Sequence, residues 1–243
     1  MGNPLSYFLN IFLVVGLGFG SSLAAAASDD DPLESINRVT FTFNEYLDRY
    51  LLKPAAKGYR AVTPDFLEDG IRNFFDNLNE PWNMLNNLLQ GKPKAAGSDG
   101  LRLLVNSTVG LFGFIDIGSR IGLESSDEDF GQTLGVWGVG SGPYLMLPFL
   151  GPSTVRDGLA RIPESMASAT EEIDHEHTRY SVYALEVLSL RAELLDREGL
   201  IAGDRYSFIR DAYLQNREFR VKDGKQEDPF AGDDFEEEFL FDE

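Results

Sequence analysis

The chain has 243 residues, with 40 Asp and Glu against 21 Lys and Arg and a formal charge of −19. Nucleic-acid binding needs a cationic footprint that releases counterions from phosphate, so this balance argues against a nucleic-acid partner. Cysteine is absent, which removes disulfides, thiolate metal sites, cysteine nucleophiles and S-linked lipid anchors together.

From Phe8 to Phe19 the chain is apolar, and four alanines follow up to Ala27. A stretch of about 12 apolar residues is too short to span a bilayer but suits the core of a secretory signal. Residues 1–27 therefore read as a signal peptide cleaved between Ala27 and Ser28, which sends the protein out of the cytoplasm; the rival reading is an uncleaved membrane anchor.

Helical punctuation dominates the exported part, residues 28–222. Asp31-Pro32-Leu33-Glu34 offers a capping carboxylate, a proline at the first helical position and a glutamate behind it. Ile36, Val39, Phe43, Tyr46, Leu47 and Tyr50 then recur at helical spacing, and Pro54 predicts the end of that helix. Thr63-Pro64 predicts the start of a second helix and Glu80-Pro81-Trp82 the start of a third, which stops at Gly91. A fourth includes Leu101 to Val105. Tyr180 to Leu195 gives another amphipathic face, and Asp204 predicts the cap of a last helix. No clean alternation of β-branched residues occurs, so no strand is predicted. Residues 223–243 carry ten acidic side chains against Lys225 alone and read as a disordered acidic tail.

Between Asp129 and Arg156 lie 26 residues without a charge. Six glycines and Pro143, Pro148 and Pro152 interrupt them, and each interior proline costs a helix about 3 kcal/mol. The segment therefore predicts irregular backbone with short helical pieces. Such backbone is tolerated at membrane depth only where protein buries it or it lines a hydrated cavity. Two readings stay open on composition: a buried glycine-rich loop in a soluble core, or the lining of a cavity, with Gln132, Thr133, Ser141 and Tyr144 facing the polar side. A second uncharged run, Leu103 to Ile115, is too short to span and suits a leaflet or a core. Phe41, Phe43, Trp82, Phe112 and Phe114 are candidates for an apolar belt or for internal packing. His175 and His177 stand two apart and share no helical face, so no metal site and no cofactor are expected. Gly138-Val139-Gly140-Ser141-Gly142 lacks the flanks of a serine elbow or a phosphate loop. Nothing in the chain points to an enzyme.

Phrases spread along the chain resemble one family in order. They include Asp31-Pro32-Leu33-Glu34-Ser35-Ile36-Asn37-Arg38, Phe43-Asn44, Glu80-Pro81, Leu89-Gln90-Gly91 and Gly113-Phe114-Ile115-Asp116. Phe130-Gly131-Gln132-Thr133-Leu134-Gly135, Gly138-Val139-Gly140-Ser141-Gly142-Pro143-Tyr144 and Leu147-Pro148-Phe149 continue the match, as do Arg156-Asp157, Leu194-Leu195-Asp196 and Arg210-Asp211-Ala212-Tyr213. From about Asp31 to Phe219 the chain resembles the MlaA (VacJ) family of Gram-negative outer-membrane proteins. That resemblance implies an all-α, ring-shaped arrangement of amphipathic helices lying in one membrane leaflet, with a Gly/Pro-rich irregular hairpin region. It implies a channel that takes mislocalised phospholipid from the outer leaflet and passes it to a soluble periplasmic lipid carrier, with a trimeric porin as a further partner. The channel and gating loop then fall on Phe130, Gly131, Gln132, Thr133, Leu134, Gly135, Trp137, Gly138, Gly140, Ser141, Gly142, Pro143, Tyr144, Leu147 and Pro148, with Arg156 and Asp157 as a structural pair. The rival reading is a soluble periplasmic helical protein that binds a hydrophobe, or a porin-associated scaffold. One departure stands out: family lipoproteins carry an acylated cysteine after the signal, and Ala26 stands there in this chain.

Overall fold

The computed structural model describes residues 31–168, 170, 173–200 and 203–224. The signal segment with its Ala27–Ser28 junction, and the acidic tail beyond Gly224, lie outside the described residues.

Helix α1 spans Glu34–Leu47 and passes without a break into one π-helical turn, Asp48–Leu52, and then α2, Lys53–Val62. Pro54 thus opens a helix where the sequence predicted an end. Proline has no N–H to give, and the wider turn before it already diverts the Lys53 N–H to the Asp48 carbonyl, five residues back. Helix α3 spans Asp65–Leu89 with Pro81 inside it, so the two helices expected here are one. The local cost of Pro81 is offset by packing against α4, Pro93–Thr108, which lies along α3. Beside Pro81, Arg102 Nε donates to Glu80 Oε1 at 2.7 Å, both side chains buried. The α3 end at Gly91 is a Schellman turn: Gly91 donates to the Leu88 carbonyl and Lys92 to that of Asn87.

A short helix α5, Ile117–Arg120, and α6, Phe130–Val136, follow. Then comes an antiparallel hairpin, β1 Tyr144–Leu147 and β2 Gly151–Thr154, in register Tyr144 to Thr154 and Leu147 to Gly151. No strand was expected, because four-residue strands reading Tyr-Leu-Met-Leu and Gly-Pro-Ser-Thr carry no alternation to detect. Helices α7, Val155–Ala167, and α8, Glu176–Glu193, come next, then a 3₁₀ segment Leu194–Leu200 and α9, Arg205–Val221. Asp204 caps α9 through the Ser207 N–H.

These elements close a circuit. α2 packs on α8, α8 on α3, α3 on α6, α6 on α9, α9 on β2, and β1 on α1, which leads back to α2. The result is an all-helical ring with the hairpin as one link. Polar side-chain contacts hold α9 to α1. Arg38 Nη2 donates to Asp204 Oδ2 at 2.8 Å with its guanidinium over the Tyr206 ring. Wholly buried Asp31 accepts from Tyr206 Oη and, at 3.2 Å, from Asn37 Nδ2.

The polarity of the ring is inverted. Among the described residues the buried set is mostly polar, including Asn37, Glu80, Asn86, Asp99, Arg102 and Asp157. Large apolar side chains lie outside: Val39, Phe43, Tyr46, Tyr50 and Leu51 run along the outer face of α1 and its π turn. No helix among the described residues is long and apolar enough to cross a membrane.

Candidate functional site

The uncharged segment divides into parts that are docked and parts that are free. Its first part is α6, whose start is held by a knot of buried charge. Asp129 caps α6 through the Gln132 N–H at 2.8 Å. Arg217 of α9 grips Asp129 with both terminal nitrogens, Nη2 to Oδ1 at 2.5 Å, and the same Nη2 reaches Asp157 Oδ1 at 3.0 Å. Asp157 also accepts from Arg156 Nε at 2.9 Å and Tyr213 Oη at 2.8 Å. Burial alone would push both carboxyls up; the arginines overcome it and hold Asp129 and Asp157 below the usual carboxylate range. A Cβ on Gly131 would stand 2.3 Å from Arg217 Nη2, so only glycine lets the arginine close on this turn. Glu164 of α7 takes the Phe130 N–H at 2.7 Å. Burial, with the charge of Asp129 beside it, pushes that carboxyl up to about 7.

Within α6, Gln132 and Thr133 are buried and their bonds close inside the protein. Gln132 Nε2 donates to the Asp127 carbonyl at 2.7 Å, and Thr133 Oγ1 donates to Asn86 Oδ1 at 2.8 Å. Trp137 packs edge-on against Phe130 and gives its indole N–H to the Leu89 carbonyl at 3.0 Å. The neighbouring loop 124–129 is held from α3: Asn83 Nδ2 donates to the Ser126 carbonyl at 2.7 Å and Asn87 Nδ2 to Ser126 Oγ at 2.8 Å.

Gly138 to Pro143 are exposed. Gly138 and Gly142 have φ of +89° and +67°, left-handed conformations that a side chain resists. Arg156 spans the loop from beneath, its backbone N–H on the Ser141 carbonyl at 3.0 Å and Nη1 on that of Val139 at 3.3 Å. The hairpin after the loop returns to the interior. Tyr144 and Leu147 are buried, while the tip, Pro148 to Leu150, is exposed. Of the four polar side chains expected on a lining, Ser141 is exposed; Tyr144 packs edge-on against Tyr206.

Two asparagines that the sequence did not single out hold the hairpin. Asn37 and Asn44 lie on one face of α1, seven residues apart. Asn37 Nδ2 donates to the Tyr144 carbonyl at 3.0 Å while its Oδ1 accepts from the Met146 N–H at 2.9 Å. Asn44 does the same at the far end, to the Leu147 carbonyl and from the Phe149 N–H, each at 2.9 Å. Side-chain amides thus satisfy the edge of β1, which pairs with no third strand among the described residues. The available sign was two asparagines seven residues apart on one face of an amphipathic helix.

Between α1, the hairpin, the 3₁₀ segment and α9 opens a cleft of about 340 Å³. Phe41, Met146, Pro152, Leu194 and Ile209 form its apolar walls. Glu45, Asp48, Arg191, Arg197, Glu198 and Arg205 carry its charge. Arg191 is clamped by Asp48, Nε to Oδ1 at 2.5 Å and Nη2 to Oδ2 at 2.9 Å, and by Glu198, which also holds Lys53. A second cleft of about 310 Å³ lies between α2, α3 and α8, lined by Asp65, Glu68, Asp69, Glu193 and Asp196 with Arg60 and Arg72.

The second uncharged run ends α4 and forms a loop with an apolar tip. Leu111 and Phe112 take φ of +55° and +59°, and Phe112 is 77% exposed. Phe43 is likewise outside, whereas Phe41 packs against Tyr206 and Phe114 against Gly70.

An apolar exterior, a hydrogen-bonded polar interior and an amphipathic cleft walled by a hairpin define a helical protein suited to the boundary between lipid and water. The family model for MlaA lipoprotein matches residues 29–220. The chain belongs to the MlaA family. It is 34% identical over 224 residues to the intermembrane phospholipid transport system lipoprotein MlaA of Escherichia coli K12, covering 88% of this chain and 89% of the relative. The protein of the same name from Haemophilus influenzae is 31% identical over 238 residues, with 91% of each chain covered. A structure solved in work on the structural basis for maintenance of bacterial outer membrane lipid asymmetry superposes with a TM-score of 0.70 at 35% identity, covering 79% of this chain and 98% of that one.

Proposed function

We propose that this chain carries phospholipid at the outer membrane, removing lipid misplaced in the outer leaflet and passing it to a soluble periplasmic carrier, so that lipid asymmetry is kept. The names borne by its MlaA relatives support this reading, and so does the inverted polarity of the ring. The observation that carries the gating part is the pair of asparagine clamps, which make the hairpin a separable wall of an amphipathic cleft.

A headgroup entering hydrocarbon loses its hydration, which is costly unless polar groups replace the water. In our reading the cleft supplies those groups while the acyl chains stay in lipid along the apolar exterior. The exposed loop from Gly138 to Pro143 and the hairpin from Tyr144 form the gate, and α6 with Gln132 and Thr133 is its fixed base. Transport of this kind lowers a barrier without making or breaking a bond, so we place the chain outside the enzymes. Retention at the periplasmic face of the outer membrane is assigned to the apolar belt and to a trimeric porin.

Photo-crosslinking from a benzoylphenylalanine at Ser141, in full-length protein in vesicles, tests the gate. Lipid adducts at Ser141 that decline when a carrier is added support transport. A probe that captures protein only, or no lipid, overturns it in favour of a scaffold.

A further inference from the structure

The lining of the hairpin cleft carries three guanidinium groups, on Arg191, Arg197 and Arg205, and three carboxylates, on Glu45, Asp48 and Glu198. We propose that this cleft is a subsite for a zwitterionic headgroup of the phosphate-and-amine class, which it favours over a net-anionic headgroup. The proposal rests on the transport reading and adds the substrate class.

Its charges are arranged as exchangeable pairs. Arg205 Nε forms an ion pair with Glu45 Oε1 at 3.0 Å across the gap between α9 and α1, with both side chains partly exposed. Asp48 and Glu198 close on Arg191, yet Arg191 Nη1 is buried and bonds to nothing among the described residues. A phosphodiester that displaces a carboxylate from the Arg191 guanidinium can then take the buried N–H that has no partner. Glu198 displaced in this way keeps Lys53, but Glu45 or Asp48, only partly exposed, is left without its guanidinium and is better served by another cation. A headgroup ammonium supplies that cation on the same molecule, so every charge leaves the exchange paired. An anionic headgroup with a neutral alcohol gains the same guanidinium contacts and leaves the carboxylate facing its phosphate.

The rest of the cleft agrees. Phe41, Met146 and Ile209 give an apolar wall on which the glycerol and first acyl carbons can lie. A volume of about 340 Å³ lies at the small end of ligand sites, the scale of a headgroup. The second cleft sets five carboxylates against two arginines, an excess that repels phosphate. The two clefts therefore differ in sign balance, and the balanced one is the one the hairpin walls.

The test uses full-length protein in nanodiscs of equimolar phosphatidylethanolamine and phosphatidylglycerol, with a benzoylphenylalanine at Ile209 and adducts identified by mass spectrometry. Ethanolamine lipid should exceed glycerol lipid about tenfold, the ratio that one charge-assisted contact confers. Glu45→Gln should bring the ratio toward one, and Arg205→Gln should lower both adducts; both residues are partly exposed, and circular dichroism checks that each variant stays folded. A ratio near one in the unaltered protein, a ratio unmoved by Glu45→Gln, or no lipid at Ile209 overturns the proposal. The Ser141 probe separates the two readings. Lipid at Ser141 with a flat ratio at Ile209 sinks the headgroup assignment alone; a skewed ratio at Ile209 with no lipid at Ser141 sinks the gate alone.

Discussion

Asn44 Oδ1 accepts the backbone N–H of Phe149 at 2.9 Å, at the tip of the hairpin, where Phe149 itself has a left-handed φ of +65°. A strained residue with an exposed aromatic ring is thus pinned by one side-chain amide from α1. Asn44→Ala removes this bond and the one to the Leu147 carbonyl. With each bond contributing about 1 kcal/mol, opening of the tip becomes easier by about 2 kcal/mol. Hydrogen exchange should show the Phe149 amide exchanging roughly thirtyfold faster, with the amides of α3 unchanged. Unchanged protection at Phe149 would mean that β2 and Phe43 hold the tip without the amide.

How much of this was legible follows from the range of the forces involved. The Schellman turn at Gly91 and the cap at Asp204 depend on neighbours in sequence, and both are evident from it. The prolines at 54 and 81 predict helix boundaries because their local cost favours that. Packing of α3 on α4, and a π turn, override it. The family resemblance implies a hairpin region, but its strands carry no local alternation, because the edge of β1 is satisfied from more than a hundred residues away by Asn37 and Asn44. The charge-free character of 130–155 marks the region, while the charges that fix its base, Asp129, Asp157 and Arg217, lie at its edges or far away.

Arg217 ties α6 and α7 to α9 through Asp129 and Asp157. Replacing it with methionine leaves the partly exposed Asp129 carboxylate without a cation and the buried Asp157 carboxylate with Arg156 alone. Removing one partner of a buried pair costs about 3–5 kcal/mol, so the unfolding free energy from denaturant titration should fall by that amount. Because both carboxyls are held below their unfolded values, their contribution is present at neutral pH and lost as pH falls through the folded values. The unaltered protein should therefore lose stability steeply in acid below the ordinary carboxylate range, and Arg217→Met should flatten that limb.

Glu164 works in the opposite sense. Its carboxyl is pushed up to about 7, first by burial and then by Asp129, so the folded state holds its proton more tightly than the unfolded one. Stability from this group is present below the ordinary carboxylate range and is lost as pH rises toward about 7. Melting temperatures across that window should decline with pH, and Glu164→Gln should remove the decline. A slope that survives the substitution assigns the effect to another group.

Gly138 adopts φ of +89° at the start of the exposed loop, and the space where a Cβ would stand is open. The obstacle to a side chain is therefore the backbone and not a clash. A valine there costs about 1–3 kcal/mol in local strain and pulls the loop out of its present path. Helix content by circular dichroism should stay the same while lipid transfer from vesicles to a carrier falls severalfold. Full transfer by Gly138→Val would show that the loop's path does not matter to the gate.

Leu111 and Phe112 form an apolar tip on strained backbone, and Phe112 is 77% exposed. An exposed side chain of this size contributes little to internal packing, so its replacement should leave thermal stability within about 0.5 kcal/mol. In the transport reading proposed above, its surroundings are lipid. Full burial of a Phe side chain in an apolar medium is favourable by roughly 1.5–3 kcal/mol, and an aspartate in its place reverses the sign. Phe112→Asp should therefore weaken partitioning onto vesicles by at least tenfold in flotation assays, whereas Arg72→Gln, on an exposed and water-facing ion pair with Asp69, should not. Equal flotation of both variants would place the 111–112 tip in water and the membrane-facing side of the ring elsewhere.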